Sequence, residues 1–260
     1  KNLKITNFFA SLSRITMNEI AIIIPSRLDA ERLPNKPLKL INNKEMILHV
    51  YEAANRANIG KVFVATPDQK ILDLIKKNGG NAFITNYDHA TGTDRVYEVF
   101  SKYLKKKPDI IINLQGDMPN IDPKAIKTLA EHMNKGSCEI GTLASELDLK
   151  TYEKDENVVK LVTLEDLESN KFSKTIDFFR LSKENYNKKI YHHIGIYAFT
   201  NKALIKYVGL KRSKLELDRK LEQLRALENN MTIEAGYIKS YPLSIDTEQD
   251  LIKIKDLMEN

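Results

Sequence analysis

Ala21-Ile22-Ile23-Ile24-Pro25-Ser26-Arg27, followed shortly by Arg32-Leu33-Pro34-Asn35-Lys36-Pro37-Leu38, is the stretch from which the fold is read. Ile20 to Ile24 is a short unbroken apolar run, the pattern of a strand buried on both faces. It runs straight into a loop carrying three fixed cations, Arg27, Arg32 and Lys36, among prolines and few bulky apolar residues. Open α/β sheets bind ligands outside the carboxyl ends of their strands. A cationic loop at that edge suits a polyanion, with a triphosphate as the candidate; the alternative is a solvated basic turn.

Outward from this strand, short apolar runs alternate with stretches of helical period, the signature of βαβ units. Further strands are predicted at Lys61 to Thr66, Asn81 to Ile84 and Asp109 to Leu114, with helices near Glu45 to Ala57, Asp68 to Lys77 and Gly92 to Leu104. Right-handed crossovers place these strands side by side in one parallel sheet. Asp122-Pro123 opens another helix, as N-cap and first-turn proline. Beyond it Ile140 to Leu147, Val158 to Thr163 and Ile190 to Phe199 read as longer strands with few crossovers, a mixed region or antiparallel arm. Helices near Leu215 to Glu228 and Thr247 to Met258 bracket a last strand at Ile233 to Tyr237. With no linker, repeat or low-complexity tract, residues 17–260 are expected to form one domain.

Bulk composition narrows the function classes. Apolar content of 42% and charged content of 29% are ordinary for a soluble globular protein, and no run approaches a bilayer span. Of the net charge of +6, three charges (Lys1, Lys4, Arg14) fall in the acid-free first sixteen residues. The remainder is spread rather than striped and lacks the aromatic platforms of a nucleic-acid surface. Cys138 is the single cysteine, which precludes an internal disulfide and fits a reducing, cytoplasmic compartment; no Cys/His spacing for structural zinc exists. Residues 1–16 read either as a targeting presequence or as an extension ahead of Met17, and are expected to be disordered and outside the fold.

Two carboxylates stand out. Asp117, in Asn113-Leu114-Gln115-Gly116-Asp117-Met118-Pro119, follows a strand end, where it would hold magnesium beside phosphates or else act as a turn residue. Asp246 ends a short extended segment. Thr247 and Asp250 can form the capping box of the helix that follows, leaving Asp246 free to join Asp117 in a metal clamp. Asp88 to Arg95 is a small polar loop opening a helix, whose N–H groups and Arg95 suit anionic or hydroxylated ligands. Tyr191-His192-His193-Ile194-Gly195-Ile196-Tyr197 lies on a strand, so the two imidazoles point to opposite faces and only one turns to the cleft. Taken alone, His193 reads as a core or rim histidine, and Glu222, Gln223 and Arg225 as an ordinary helix surface.

In order along the chain, the Pro25 to Leu38 loop, Ala65-Thr66, Thr91-Gly92-Thr93-Asp94-Arg95, Leu114-Gln115-Gly116-Asp117, His193 to Tyr197, Leu221-Glu222-Gln223-Leu224-Arg225 and Asp246-Thr247 resemble the 3-deoxy-manno-octulosonate cytidylyltransferases, or CMP-KDO synthetases. The resemblance runs from Ile20 to about Leu257. It implies a nucleotide-diphospho-sugar transferase-like, Rossmann-like α/β fold, with a mostly parallel sheet flanked by helices. An elaborated mixed second half, about 140–230, would serve dimerisation and sugar binding. It implies transfer of CMP from CTP to KDO with release of pyrophosphate, a magnesium cofactor, a role in lipopolysaccharide biosynthesis, and a homodimer with no nucleic-acid or membrane partner. By carry-over, Arg27, Arg32 and Lys36 grip the triphosphate and Asp117 and Asp246 ligate magnesium. Arg95, His193, Tyr197, Glu222 and Gln223 form the sugar-acid side, with Gln115 between the substrates.

Departures from the family pattern are Ala30 for serine, Asn35 for glycine in the phosphate loop, and Met118 for glutamate, expected to alter sugar-side polarity. Phe178-Phe179-Arg180 stands for an aromatic-Ser/Thr-Arg stretch, with Arg180 a KDO contact. These changes leave open a related CMP-sugar synthetase for 8-amino-KDO or sialic acid. A GT-A-like glycosyltransferase is more distant, because a diphosphate donor needs less charge than this loop carries.

Overall fold

A computed structural model of the chain describes residues 18–30, 32–136, 138–148, 155–169, 171–181 and 188–259. The amino-terminal extension, residues 1–16, lies outside them. The first half is a run of βαβ units: β1 (Ile20–Pro25), α1 (Met46–Arg56), β4 (Lys61–Thr66), α2 (Gln69–Lys77), β5 (Ala82–Ile84), α3 (Gly92–Glu98) and β6 (Ile110–Leu114). A two-residue hairpin, β2 (Leu40–Ile41) with β3 (Lys44–Glu45), precedes α1. All six residues of β1 are buried, because β4 and β6 flank it in parallel, Ile23 pairing with both Phe63 and Asn113.

The second half adds α4 (Pro123–Asn134), β7 (Ile140–Glu146), β8 (Lys160–Thr163), β9 (Phe172–Phe179), β10 (Ile190–Thr200), α5 (Asn201–Val208), α6 (Lys214–Arg219), α7 (Leu224–Glu228), β11 (Ile233–Tyr237) and α8 (Glu248–Glu259). Eleven-residue β10 returns into the middle of the sheet, antiparallel to both β6 and β7. The order is β5-β4-β1-β6-β10-β7-β11-β9-β8. The expectation of a mostly parallel sheet therefore holds for β5-β4-β1-β6 and the β7–β11 pair, and the sheet as a whole is mixed. Helical crossovers cover the parallel part; the later strands connect with few helices and so pair antiparallel.

Two large apolar clusters lie on the two faces of the sheet. One packs Ile22, Ile24, Val64 and Ile112 against α1, α2 and α4; the other packs Ile23, Ile111 and Phe199 against α3 and α5. A third, smaller cluster places the site. Leu33 from the cationic loop, Ile41 and Met46 are buried together with Ile245, Leu251 and Ile254 from the end of the chain. Burying those side chains fastens α8 and the segment before it onto the loop after β1.

Two helices differ from the sequence pattern. The predicted Leu215 to Glu228 helix is broken into α6 and α7 at Lys220, which caps α6 in the left-handed region at φ 53°. The helix from Gly92 ends α-helical at Glu98 and continues as one π turn over Val99–Tyr103.

Candidate active site

The loops after β1, after β6 and before α8, with the start of α3, enclose a cleft of about 590 Å³. Its lining includes Arg27, Arg32, Lys36, Arg95, Gln115, Asp117 and Asp246. The loop from Pro25 is anchored at two points. Asp68 accepts from the Leu28 backbone N–H at 2.8 Å, and Lys36–Leu38 forms a single 3₁₀ turn entered through Asn35. Asn35 sits at φ 55°, ψ 29°, the left-handed conformation that asparagine tolerates better than other side-chain-bearing residues. The substitution of asparagine for glycine is thus accommodated. Gly116 is where the loops after β1 and β6 draw together: a Cβ there would stand 3.2 Å from the Pro25 carbonyl oxygen.

Asp117 and Asp246 converge, although more than a hundred residues separate them. Lys36 Nζ donates to Asp117 Oδ2 at 2.9 Å and to Asp246 Oδ1 at 3.1 Å, and Arg32 lies 3.0 Å from Asp246 Oδ2. The Ile245 N–H donates to the Asp117 carbonyl at 3.0 Å, tying the two acidic segments together at the backbone. Asp250 accepts from the backbone N–H groups of Asp246 and Thr247, while Thr247 Oγ1 accepts from the Asp250 N–H at 3.2 Å. The capping box is thus Thr247 with Asp250, and the Asp246 carboxylate is spent on the cleft. Burial pulls the Lys36 pKa down, but the two carboxylates outweigh it and hold the ammonium above its ordinary value. That ammonium marks a position where a cation is bracketed by two carboxylates. Such a donor set fits magnesium, which takes one or two carboxylates and completes its shell with phosphate oxygens and water.

Arg95 lines the same cleft but is almost fully buried, with its guanidinium donating to the Asn86 carbonyl at 2.9 Å, to the Tyr87 carbonyl at 3.2 Å and to Thr85 Oγ1. Burial, then the nearby Arg27 charge, lower its pKa. Two like charges held in proximity are a ready anion site. His89, also in the lining, is hydrogen-bonded through Nε2 to Glu98 at 2.6 Å. Burial raises the Glu98 pKa, but Lys102, His89 and the Asn86 N–H outweigh it and hold the carboxyl down at about 2.

The remaining predicted residues form an inner layer outside the cleft lining. Tyr197, Glu222 and Gln223 border a second cavity with Thr93 and Tyr207, of about 10 Å³, no more than roughly one water's room. Gly92 faces the cleft and Thr93 this inner cavity, so the first turn of α3 separates the two. Glu222 and Gln223 sit in the turn between α6 and α7 rather than on a helix surface, because Lys220 ends α6 in the left-handed conformation. Neither histidine of the pair lines the cleft, contrary to expectation. His192 lies edge-on to Tyr241, and His193 is buried against Phe178 and Tyr197 on the opposite face. Burial, then the neighbouring His192, lower the His193 pKa to about 3, so it is neutral. Thr142 Oγ1 donates to the Ile196 carbonyl at 2.8 Å and so accepts from His193 Nε2 at 3.0 Å, leaving Nδ1 as the acceptor. A bulge in β10 between Ile194 and Tyr197 sets the spacing of these two rings.

Met118 is buried in the core and absent from the cleft lining, so the expectation that it alters sugar-side polarity is not met. Arg180 donates to the Glu156 carbonyl at 2.7 Å, and Arg32 to Asn157 Oδ1 at 2.8 Å; both arginines therefore grip one loop. Sequence reasoning passed over Thr93 and Asn113 as individual site residues, and the ion pair of Arg225 with Glu216, at 2.7 Å and almost fully buried. Elsewhere His132, Cys138 and Glu234 bring potential ligand atoms within 4.8 Å of one another. His132 is already bonded to Glu234 at 2.7 Å, and burial holds the Cys138 thiol up at about 12, so this group reads as interior hydrogen bonding.

A mixed α/β sheet with a cationic loop after its first strand and two carboxylates bracketing one cation position defines a nucleotidyltransferase. A cytidylyltransferase family model matches residues 21–233. The chain is 39% identical over 244 residues to the 3-deoxy-manno-octulosonate cytidylyltransferase of Rickettsia felis, covering 93% of this chain and 96% of the relative. It is 39% identical over 230 residues to that of Brucella ovis, covering 88% and 91%. Among solved structures it resembles CMP:2-keto-3-deoxy-manno-octonic acid synthetase complexed with CTP, with TM-score 0.83, 34% identity and coverage of 93% and 98%. A putative glucose-1-phosphate thymidylyltransferase from Bacillus anthracis shares the fold at TM-score 0.67 and 14% identity, covering 93% and 96%. The chain belongs to the 3-deoxy-manno-octulosonate cytidylyltransferase family.

Proposed function

We propose that this chain is a 3-deoxy-manno-octulosonate cytidylyltransferase, transferring CMP from CTP to KDO. The anomeric hydroxyl oxygen of KDO attacks the α-phosphorus of CTP; a new P–O bond forms, the α–β anhydride bond breaks, pyrophosphate leaves and the hydroxyl proton is lost to solvent or a cleft group. The observation that carries this reading is the meeting of Asp117 and Asp246 on Lys36 Nζ in a cleft that also holds Arg27 and Arg32.

Phosphoryl-type transfer asks little covalent chemistry of the protein, so rate comes from positioning and from cations placed where charge develops. Arg27 and Arg32 hold the triphosphate. Lys36 exchanges its carboxylate partners for phosphate oxygens when the nucleotide enters. Asp117 and Asp246, no longer paired to Lys36, would hold magnesium, which when bound would neutralise phosphate charge. Gln115 lies where the two substrates meet, so the sugar acid enters the cleft at Gln115, and the inner layer of His193, Tyr197, Glu222 and Gln223 backs that part of the site. Residues 17–260 act as one domain, and the exposed apolar side chains Leu164, Ile176 and Leu181 of the 140–230 half suit a homodimer contact.

The test is a nucleotide-by-sugar matrix: ATP, GTP, UTP and CTP against KDO, 8-amino-KDO and sialic acid, read as pyrophosphate formed with magnesium. The expected signal is confined to CTP with KDO. Pyrophosphate formed only with sialic acid, or released with no sugar acid present, overturns the assignment.

A further inference from the structure

A chain of side-chain hydrogen bonds joins the inner cavity to the cleft. Thr93 Oγ1 donates to Glu222 Oε1 at 2.8 Å, Asn113 Nδ2 donates to Thr93 Oγ1 at 3.1 Å, and Gln115 Nε2 donates to Asn113 Oδ1 at 3.2 Å. Thr93 and Asn113 are buried at 1% and 0% exposure, so water does not offer them alternative partners. The direction of each bond follows from the one before. Burial raises the Glu222 pKa, and its Oε1 accepts the Thr93 hydroxyl proton in the structure, so the Thr93 lone pairs face Asn113. Asn113 must then turn its amide nitrogen to Thr93 and its oxygen to Gln115. Gln115 must turn its own nitrogen inward.

The Gln115 side chain lies between Gly92 and Gly195: a Cβ at Gly92 would stand 3.7 Å from Gln115 Oε1, and one at Gly195 would stand 3.7 Å from its Cγ. Both distances are ordinary van der Waals contacts, so the two glycines flank the carboxamide closely without clamping it. Gln115 itself lines the cleft.

We propose that Glu222, Thr93 and Asn113 form a polarity relay that holds the Gln115 carboxamide with Oε1 toward the cleft, so that this point of the site accepts a hydroxyl or amino donor from the substrate and repels a carbonyl or carboxylate. Thr93 and Asn113 are positioning residues: they act through Gln115 and touch no reacting atom. The proposal deepens the cytidylyltransferase reading and rests on it for the identity of the donor, a hydroxyl of the sugar acid.

The experiment has one arm without substrate and one with it. In the free wild-type chain, selectively labelled with ¹⁵N-glutamine, the Gln115 side-chain amide is expected as one rigid, dispersed pair of resonances with contacts to the Asn113 amide protons. A motionally averaged pair overturns the relay whatever the reaction proves to be. In the kinetic arm, Thr93→Val is expected to raise KM for the sugar acid about tenfold, the worth of roughly one hydrogen bond, with KM for CTP within about twofold. Thr93→Ser, which restores the hydroxyl, is expected to return within about threefold of wild type on the same reasoning. Where Thr93→Val fails to fold, Asn113→Leu breaks the next link and carries the same expectation. Equal loss in Thr93→Ser and Thr93→Val, or equal shifts in both Michaelis constants, overturns the proposal. If no sugar acid supports pyrophosphate release, the cytidylyltransferase reading fails and the amide resonances still decide the relay.

Discussion

The cleft and the inner layer behind it use charge in opposite ways. In the cleft, Lys36 and Arg32 pair with Asp117 and Asp246 near the surface, where each side chain can exchange its partner for a ligand. In the inner layer, Glu216 is fully buried and bonded to Arg225 at 2.7 and 2.8 Å, and the protonation of His193 is settled by burial. A group that must bind and release ligands needs exchangeable partners. A group that must hold geometry needs permanent ones, since an ion stripped of both water and partner is expensive.

The sharpest way to break this contrast is to neutralise the cleft carboxylates. Asp117→Asn and Asp246→Asn are each expected to cut magnesium-dependent pyrophosphate release by about 10²–10³-fold while the circular dichroism spectrum is unchanged. Full activity in both would remove the metal assignment. Glu216→Ala should do the reverse, lowering stability by about 3–5 kcal/mol in urea titrations by stranding the Arg225 guanidinium. A loss no larger than that of a surface substitution would show that the inner pair is dispensable.

Glu98 sharpens the boundary between the two regions, since it is buried yet holds His89 at the cleft. Its folded pKa, about 2, lies below its ordinary value of 4.5. It therefore contributes stability above that ordinary value and loses the contribution as pH falls toward 2, about 3 kcal/mol in all. Glu98→Gln should be less stable than wild type at pH 7 and equal to it near pH 2; a gap that persists in acid would contradict the linkage. The smallest effect concerns Lys36, whose ammonium stands between the two carboxylates in the free chain. Lys36→Met should lose turnover more than sugar affinity, yet bind Mn²⁺ without nucleotide about three- to tenfold more tightly, because a competing ammonium is removed. Unchanged or weaker Mn²⁺ binding by electron paramagnetic resonance would show that the lysine does not compete.

Much of this was legible from local pattern. Lys61–Thr66 and Ile233–Tyr237 emerge as read, and Asp122 caps α4 through the Lys124 N–H at 2.8 Å. Thr247 and Asp250 form the box that frees Asp246. Strand β9 and helix α5 were missed: β9 exposes Ile176 in an otherwise mixed stretch, and α5 follows β10 without a break, so its Thr200 cap and closing Gly209 are hidden at the end of a long apolar strand. Met118 and the histidine pair were misplaced with respect to the cleft, because orientation beyond a strand end depends on what packs there.

By itself the sequence determined the βαβ half, the cationic loop at a strand end and the identity of the two carboxylates, because periodicity, caps and prolines act over a few residues. Tertiary structure alone decided that Asp246 meets Asp117, that the helix breaks at Lys220 to leave Glu222 and Gln223 in a turn, and that Gln115 is tied through Asn113 and Thr93 to Glu222. Those outcomes depend on which apolar side chains find one another across the chain, as Leu33 finds Ile245, and on hydrogen bonds whose direction is set only once their partners are buried together.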